Sequence, residues 1–231
     1  MKMKKYLLMA SCLVMLCGCS FAPNGKQAAE SGEKLIVKQL SLGAEVAYRA
    51  DSLEELYEDS GFVAEILVTE VTPSFLGETK LLCTYFNAEV LTLYKGEYHG
   101  ESFFTDGGCM KLSEYCAAVK PDADKKEFSA DEWENGYVTM DFMGSHIPEV
   151  GERLMIFGKY SEDGKVICIT SLGQSLYLCD EETVSITGSE VALGDLPDDL
   201  KTDFDVQVSN SDNTMTVACG KADFIEKLVK S

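Results

Sequence analysis

The sequence predicts a mainly β protein whose strands form a Greek-key barrel. Three observations carry this prediction: many short runs of β-branched and aromatic residues, one much longer run over 82–94, and no repeated alternation of strands with long helices. A strand of about 13 residues is more than twice the usual length of five or six. Such a strand normally coils around a barrel instead of lying in a flat sheet.

The other strand patterns follow one another at short intervals along the chain. Residues 62–71 form the run before the long one, and Pro73 ends it. Residues 153–159 and 165–170 flank a turn at 161–164 that is typical of a β-hairpin. Shorter strands are predicted over 101–105, 137–142, 176–179, 183–186, 204–208 and 214–218.

One or two short helices are expected beside these strands. Ser52 with Glu55 three residues later forms a capping-box pattern, which starts a helix. Asp223 is placed to cap a terminal helix with one apolar face. The stretch 111–135 is polar and loop-like, with a helical pattern around 113–119.

The first residues carry an export signal. Three lysines precede an apolar run over 6–16, which is too short to span a membrane and has the length of a signal-peptide core. The run ends Leu16-Cys17-Gly18-Cys19, which resembles the lipobox of bacterial lipoproteins. That resemblance implies cleavage before Cys19 and attachment of diacylglycerol to its thiol, so the protein would be extracytoplasmic and lipid-anchored to the cell membrane. The alternative is an ordinary signal peptide whose cysteines are incidental.

Four weak motifs in a fixed order resemble a broad group of exported, often lipid-anchored bacterial proteins with an OB-like barrel. The motifs are Ser-Leu-Glu-Glu-Leu at 52–56, the strand end at 93–96, Gly107-Gly108, and the run at 151–157. The members of this group are uncharacterised lipoproteins. The resemblance therefore implies a fold and an anchor, and it implies no activity.

Together these features give a mainly β fold: an OB-like Greek-key barrel with one or two short helices, preceded by a signal peptide and a flexible linker. The predicted parts are a lipoprotein signal peptide (1–18), the lipidated Cys19 with a flexible linker (19–45), the OB-like domain (46–187), and an acidic C-terminal extension with a hairpin and a short helix (188–231).

The charge of the chain limits its partners. It has 39 acidic and 20 basic residues, a net charge of −19, and three of the lysines belong to the predicted leader. A nucleic-acid partner is not expected, because nucleic-acid binding requires lysine and arginine side chains that contact the phosphates. Acidic residues are concentrated over 180–213, where Lys201 is the single basic residue. This segment is interpreted as a solvated acidic face, since it lacks the spacing of a calcium loop.

Six cysteines remain beyond Cys19, and disulfides can persist outside the cytoplasm. They are Cys83, Cys109, Cys116, Cys168, Cys179 and Cys219. Cys109 and Cys116 are close in sequence and flank a loop, so they are the predicted disulfide pair. Cysteines within strand patterns can equally be small buried apolar residues.

Metal and cofactor sites are not expected. No close cysteine pair of the kind that holds structural zinc is present after Cys19, and His99 and His146 are the two histidines. Nucleophilic catalysis by Cys109 with His146 as base is conceivable, but no flanking signature supports it. Serine-hydrolase and phosphate-loop motifs are also missing from the sequence.

A non-catalytic binding or envelope-associated role is therefore favoured over an enzymatic one. The expected partners are the membrane, through the lipid anchor, and an envelope protein, peptide or glycan, with the site on a barrel face or the loop at 106–135. Trp133 and Tyr137 are considered as an aromatic platform for sugars, although Trp133 is expected to be half-buried. The alternative function is an extracytoplasmic hydrolase that uses carboxylates or Cys109.

Overall fold

The computed structural model describes residues 34–42, 50–119, 127–142, 146–169, 174–189, 205–208 and 214–230 of the 231-residue chain. The helices are α1 (Leu53–Asp59), α2 (Leu112–Val119), α3 (Ala130–Asn135) and α4 (Lys221–Lys230). The strands are β1 (Leu35–Leu42), β2 (Phe62–Val71), β3 (Phe75–Leu76), β4 (Leu82–Lys95), β5 (Ser102–Asp106), β6 (Gly108–Lys111), β7 (Gly136–Phe142), β8 (Arg153–Tyr160), β9 (Val166–Ile169), β10 (Leu176–Cys179), β11 (Thr183–Ser189), β12 (Asp205–Val208) and β13 (Thr214–Gly220).

Five of these strands form a closed barrel, as the sequence predicts. The strand β2 pairs antiparallel with β4 and with β8, and β4 continues antiparallel to β5. The strand β5 pairs parallel with β9, and β9 returns antiparallel to β8, which closes the ring. This order, with its single parallel pair, is the OB-like Greek-key arrangement.

The long strand β4 pairs with different strands along its length. Its first part pairs with β3 and β5, and the stretch from Phe86 to Lys95 pairs with β2. The register between β2 and β4 shifts at three places. Such shifts increase the local twist and bend of a strand, which allows one continuous segment to follow the barrel wall.

The barrel interior is filled by alternate residues of its strands. Phe62, Ala64 and Ile66 of β2 point inward, and Phe103 of β5 lies among the rings of Phe62, Phe86 and Tyr98. Because side chains alternate along a strand, Val63 and Glu65 point to the outside of the barrel. That outer surface is covered by the C-terminal part of the chain.

The C-terminal elements continue the barrel sheet. From β8 the sheet extends through β10, β11 and β13 to β12, and the predicted boundary at 187/188 falls inside β11. Phe224 and Leu228 of α4 pack with α1, with Tyr177 and with the outer faces of β2 and β8 in a second core. The hairpin and terminal helix expected after residue 188 are therefore part of one packed body with the barrel. Most of the acidic residues over 190–213 lie outside the described residues.

A smaller sheet of three strands has the order β1-β7-β6. The assignment of 19–45 to a flexible linker is wrong for 35–42, which form β1 parallel to β7. The physical reason is the apolar run Leu35-Ile36-Val37, which favours a strand once β7 is available as a partner. The helices α2 and α3 cover one face of this sheet. The helix α3, with a complete capping box at Ser129 and Glu132, lies in a stretch expected to be loop-like.

The predicted signal peptide and Cys19 lie outside the described residues. Among the residues that the structure describes, no helix is long and apolar enough to cross a membrane.

Candidate functional site

The candidate site is the outer face of β4 and β5, on the wall of the barrel. Phe103 is fully buried in the barrel, so its neighbour Phe104 faces outward. The register pairs Phe104 with Tyr85, and Asp106 with Cys83. The outer face therefore carries one aromatic pair with a polar pair beside it.

Three rings form a continuous surface here, which we call the aromatic platform: Phe75, Tyr85 and Phe104. Phe75 of β3 stacks on Tyr85 with ring centroids 5.4 Å apart and planes 12° apart. The Tyr85 ring lies 5.2 Å from the Phe104 ring at a tilt of 58°. Phe75 is 37% exposed, and the other two rings are partly exposed. Apolar ring faces are thus presented to solvent on a rigid sheet.

One end of the aromatic platform is bordered by amide and hydroxyl groups. Ser102 Oγ donates a hydrogen bond to Asn87 Oδ1 at 2.8 Å. Asn87 Nδ2 donates in turn to Glu70 Oε2 at 3.1 Å. This chain fixes the orientation of the Asn87 amide next to the rings.

The other end of the aromatic platform carries a carboxyl group and thiols. Cys83 Sγ donates to Asp106 Oδ1 at 3.7 Å. Burial raises the pKa of Asp106, and the hydrogen bond from the thiol partly opposes that rise. Burial, together with the nearby Asp106 charge, raises the pKa of Cys83 to about 12 and of Cys168 to about 11.

A hydroxyl chain holds the β3 segment against β4. Thr84 Oγ1 donates to the carbonyl of Gly107 at 2.8 Å and lies 2.8 Å from Ser74 Oγ. Ser74 Oγ also accepts from the Cys109 backbone N–H at 2.9 Å. A Cβ at Gly108 would lie 2.2 Å from Ser74 Oγ, so only glycine allows this approach. The glycine pair thereby places Ser74, and with it the adjacent Phe75.

The predicted disulfide is not present in this structure. Cys109 and Cys116 are both free thiols, as are the other four cysteines of the described residues. Cys116 packs with Val138 in the cluster under α2. Cys109 lies opposite Thr139, the neighbour of Val138 on β7, so alternation directs its side chain to the opposite face of the small sheet.

The structure also gives no support to Cys109 and His146 as a catalytic pair. His146 Nε2 is 2.7 Å from Glu152 Oε2, and within the described residues no hydrogen bond joins His146 to Cys109. Burial raises the pKa of Cys109, and the Lys34 charge only partly offsets this rise. A thiol that resists ionisation is a poor nucleophile.

Trp133 and Tyr137 do not share a surface. Trp133 packs against Phe128, with centroids 6.1 Å apart, in the cluster on the helix side of the small sheet. Tyr137 lies next to Val138 on β7 and points to the other side, where Lys34 Nζ is 5.6 Å from its ring centroid. The aromatic residues that do form a surface were missed. Adjacent Phe103 and Phe104 in one strand were the available signal, because one of the two must face outward.

Comparison with protein-family models and with curated proteins finds no match for the chain. The resemblance to lipid-anchored bacterial proteins stays a prediction from the sequence motifs.

The raised thiol pKa values predict slow alkylation of the native protein. Cys83 and Cys179 have a pKa of about 12, against about 9 for an ordinary thiol, mainly because of burial. At pH 8 we expect iodoacetamide to label both at least about 100-fold more slowly in the native than in the denatured protein, as measured by peptide mass spectrometry. Since only the unfolded chain loses these protons above pH 9, stability should fall as the pH rises from about 9 toward 12. Equal native and denatured rates would contradict the burial of these thiols.

Proposed function

We propose that the protein is a lipid-anchored extracytoplasmic binding module and that its aromatic platform binds a neutral glycan segment of the cell envelope. The observation that carries the binding proposal is the row of partly exposed rings with hydrogen-bonding groups at both ends. Supporting the anchor are the lipobox-like sequence and Cys19.

The position of the aromatic platform in the barrel favours a binding surface. OB-like barrels bind oligonucleotides and oligosaccharides on the face of their second and third strands and with the loop that joins the first two. Here those strands are β4 and β5, and Phe75 lies on the segment between β2 and β4. The three rings come from this segment and these two strands.

The chemistry of the surface favours a sugar over the other ligands of such barrels. Sugar rings have apolar C–H faces that stack on aromatic side chains and hydroxyl groups that hydrogen-bond at their edges. Asn87, Ser102 and Asp106 offer such partners beside the rings. A net charge of −19 opposes a polyanion such as a nucleic acid.

The same geometry does not favour hydrolysis by carboxylates. Asp106 pairs with Cys83 of β4, and Glu70 pairs with Asn87, which is four residues further along β4. At about 3.4 Å per residue, the two residue pairs are about 14 Å apart. Paired carboxylates in glycoside hydrolases are at most about 9.5 Å apart, so this pair is too widely spaced.

Replacing Phe75 with alanine should weaken glycan binding about tenfold. The ring is 37% exposed, and stacking a sugar on it would bury roughly 60 Å² of apolar surface, which is worth about 1.5 kcal/mol. Titration calorimetry with the tetramer of N-acetylglucosamine, a neutral oligosaccharide, measures this change.

Two variants serve as controls. Phe75→Tyr keeps the ring and should bind within about twofold of the natural protein. Leu93→Ala removes an exposed apolar side chain elsewhere, since Leu93 is 42% exposed, and should leave the affinity unchanged. If no neutral oligosaccharide binds, or if Leu93→Ala weakens binding as much as Phe75→Ala, the aromatic platform is not a glycan site.

A further inference from the structure

A cationic surface stands out on this acidic protein, on the face of the small sheet that α2 and α3 leave uncovered. We call it the tether-side face and define it by Lys34, Ile36, Lys111 and Tyr137. In the register, Tyr137 pairs with Ile36 on one side and with Lys111 on the other. Lys34 Nζ lies over the Tyr137 ring at 5.6 Å. Two cationic side chains, of Lys34 and Lys111, therefore lie on one surface with the side chains of Ile36 and Tyr137.

The side chains of the tether-side face are available to a partner. Lys34 and Lys111 are exposed, and Ile36 is 44% exposed. Neither lysine forms an ion pair with a carboxylate within the described residues. The carboxylate that shares this side of β7, Asp141, is 6% exposed and accepts a hydrogen bond from Gln39 Nε2 at 3.3 Å. The exposed charge of this face is positive, although the chain as a whole carries −19.

The partner that best fits such a face is an anionic lipid surface. Lysines are attracted to anionic headgroups, and aromatic and apolar side chains favour the boundary between headgroups and acyl chains. Lys34 also follows Cys19 by only 15 positions, so the chain between them spans at most about 50 Å even when fully extended. A lipid on Cys19 would hold the tether-side face close to the bilayer.

We infer that the tether-side face docks on anionic headgroups and orients the anchored protein on the membrane. This inference rests on the lipid anchor of the proposed function. Two lysines are too few to bind the protein to a membrane without an anchor, but they can select one orientation of a protein that is already held there. In that orientation the acidic remainder of the molecule would face away from the headgroups, which lowers its repulsion.

Lysine acetylation on vesicles tests this orientation with the protein expressed from its complete sequence and purified in detergent. The protein is reconstituted into vesicles of phosphatidylcholine alone or with 30 mol% phosphatidylglycerol, recovered by flotation, and acetylated with a membrane-impermeant reagent. We expect Lys34 and Lys111 to react about fivefold more slowly on the anionic vesicles at low salt, with the protection lost in about 0.5 M salt. Lys165, whose side chain is 79% exposed in the β8–β9 turn, should react equally on both.

Charge-reversed variants complete the test. Lys111→Glu should abolish the protection of Lys34 on anionic vesicles, whereas Lys165→Glu should preserve it. Protein that floats but shows no protection of Lys34 and Lys111 would overturn the docking inference and leave the anchor intact. Protein that does not float would overturn the anchor and this inference with it. Protection by soluble polyphosphate but not by vesicles would assign the face to a polyanion and overturn docking on lipid.

Discussion

Replacing Glu65 with alanine is expected to lower the free energy of unfolding by about 3 to 5 kcal/mol, the cost of removing one partner of a buried ion pair. Glu65 is 3% exposed and accepts two charged hydrogen bonds on the same oxygen, Oε1. Arg153 Nη2 is 2.8 Å away and Lys221 Nζ is 2.7 Å away. Without the carboxylate, the Lys221 side chain, which is only 12% exposed, would lose its ion-pair partner.

The expected loss of stability includes a weaker attachment of the C-terminal helix α4 to the barrel. Lys221 is the first residue of α4, where a cation is unfavourable because the helix N-terminus carries partial positive charge. Its Nζ also donates to the carbonyl of Asp180 at 3.1 Å. Glu65 therefore connects β2, β8 and α4, and its loss should loosen α4 from the outer face of the barrel.

Thermal and urea denaturation of matched variants measure this effect. Glu65→Ala should lower the melting temperature by about 10 °C, since 1 kcal/mol corresponds to about 2–4 °C for a chain of this size. Glu70→Ala, on an exposed part of the same strand, should change stability by no more than about 0.5 kcal/mol. A triple variant with Glu65→Leu, Arg153→Met and Lys221→Met should recover much of the loss. Equal effects of the Glu65 and Glu70 changes would show that the buried ion pairs contribute little.

Replacing Phe103 with alanine should cost about 3 to 5 kcal/mol through a different mechanism, the opening of a cavity in the barrel. Phe103 is fully buried, and its ring lies 5.2 Å from Phe86, 5.8 Å from Phe62 and 5.9 Å from Tyr98. Four rings from different strands and loops meet there. The loss of the central ring would leave the other three without their common contact.

The adjacent residue gives a matched control for this prediction. Phe104→Ala removes the same side chain from the outer face, where the ring is already partly exposed, so it should cost less than half as much as Phe103→Ala. Phe103→Leu keeps most of the volume and should cost less than about 1.5 kcal/mol. The urea denaturation midpoints of the three variants measure these losses of stability. A Phe104 effect as large as that of Phe103 would contradict the assignment of inside and outside along β5.

The barrel could be predicted because its signals are local. The length and apolar content of 82–94, the hairpin turn at 161–164 and the capping box at Ser52 each depend on residues near one another in the chain. The structure has these elements close to the predicted bounds. The strand β1 and the helix α3 were missed because β1 depends on pairing with β7, about 100 residues later, and α3 is only six residues long.

The candidate site could not be predicted in the same way. Phe75, Tyr85 and Phe104 lie on three strands, and their contact depends on the register between β3, β4 and β5. A shift of register by one residue would turn Tyr85 inward, so the sequence alone does not define the aromatic platform. The structure has Cys109 and Cys116 as free thiols. Closeness in sequence does not determine which face of a sheet a side chain occupies, so it does not by itself define a disulfide pair.

By itself the sequence determined the class of fold and the net charge of −19, and its first residues predict export and lipidation. These properties depend on composition and on patterns within short stretches of sequence, so they can be predicted without knowledge of the tertiary contacts. Only the tertiary structure decided that Glu65 is buried between two cations, that three rings form one surface, and that two lysines share a face with Tyr137 and Ile36. The physical reason is that strand pairing brings distant residues together and assigns each side chain to one face of the sheet.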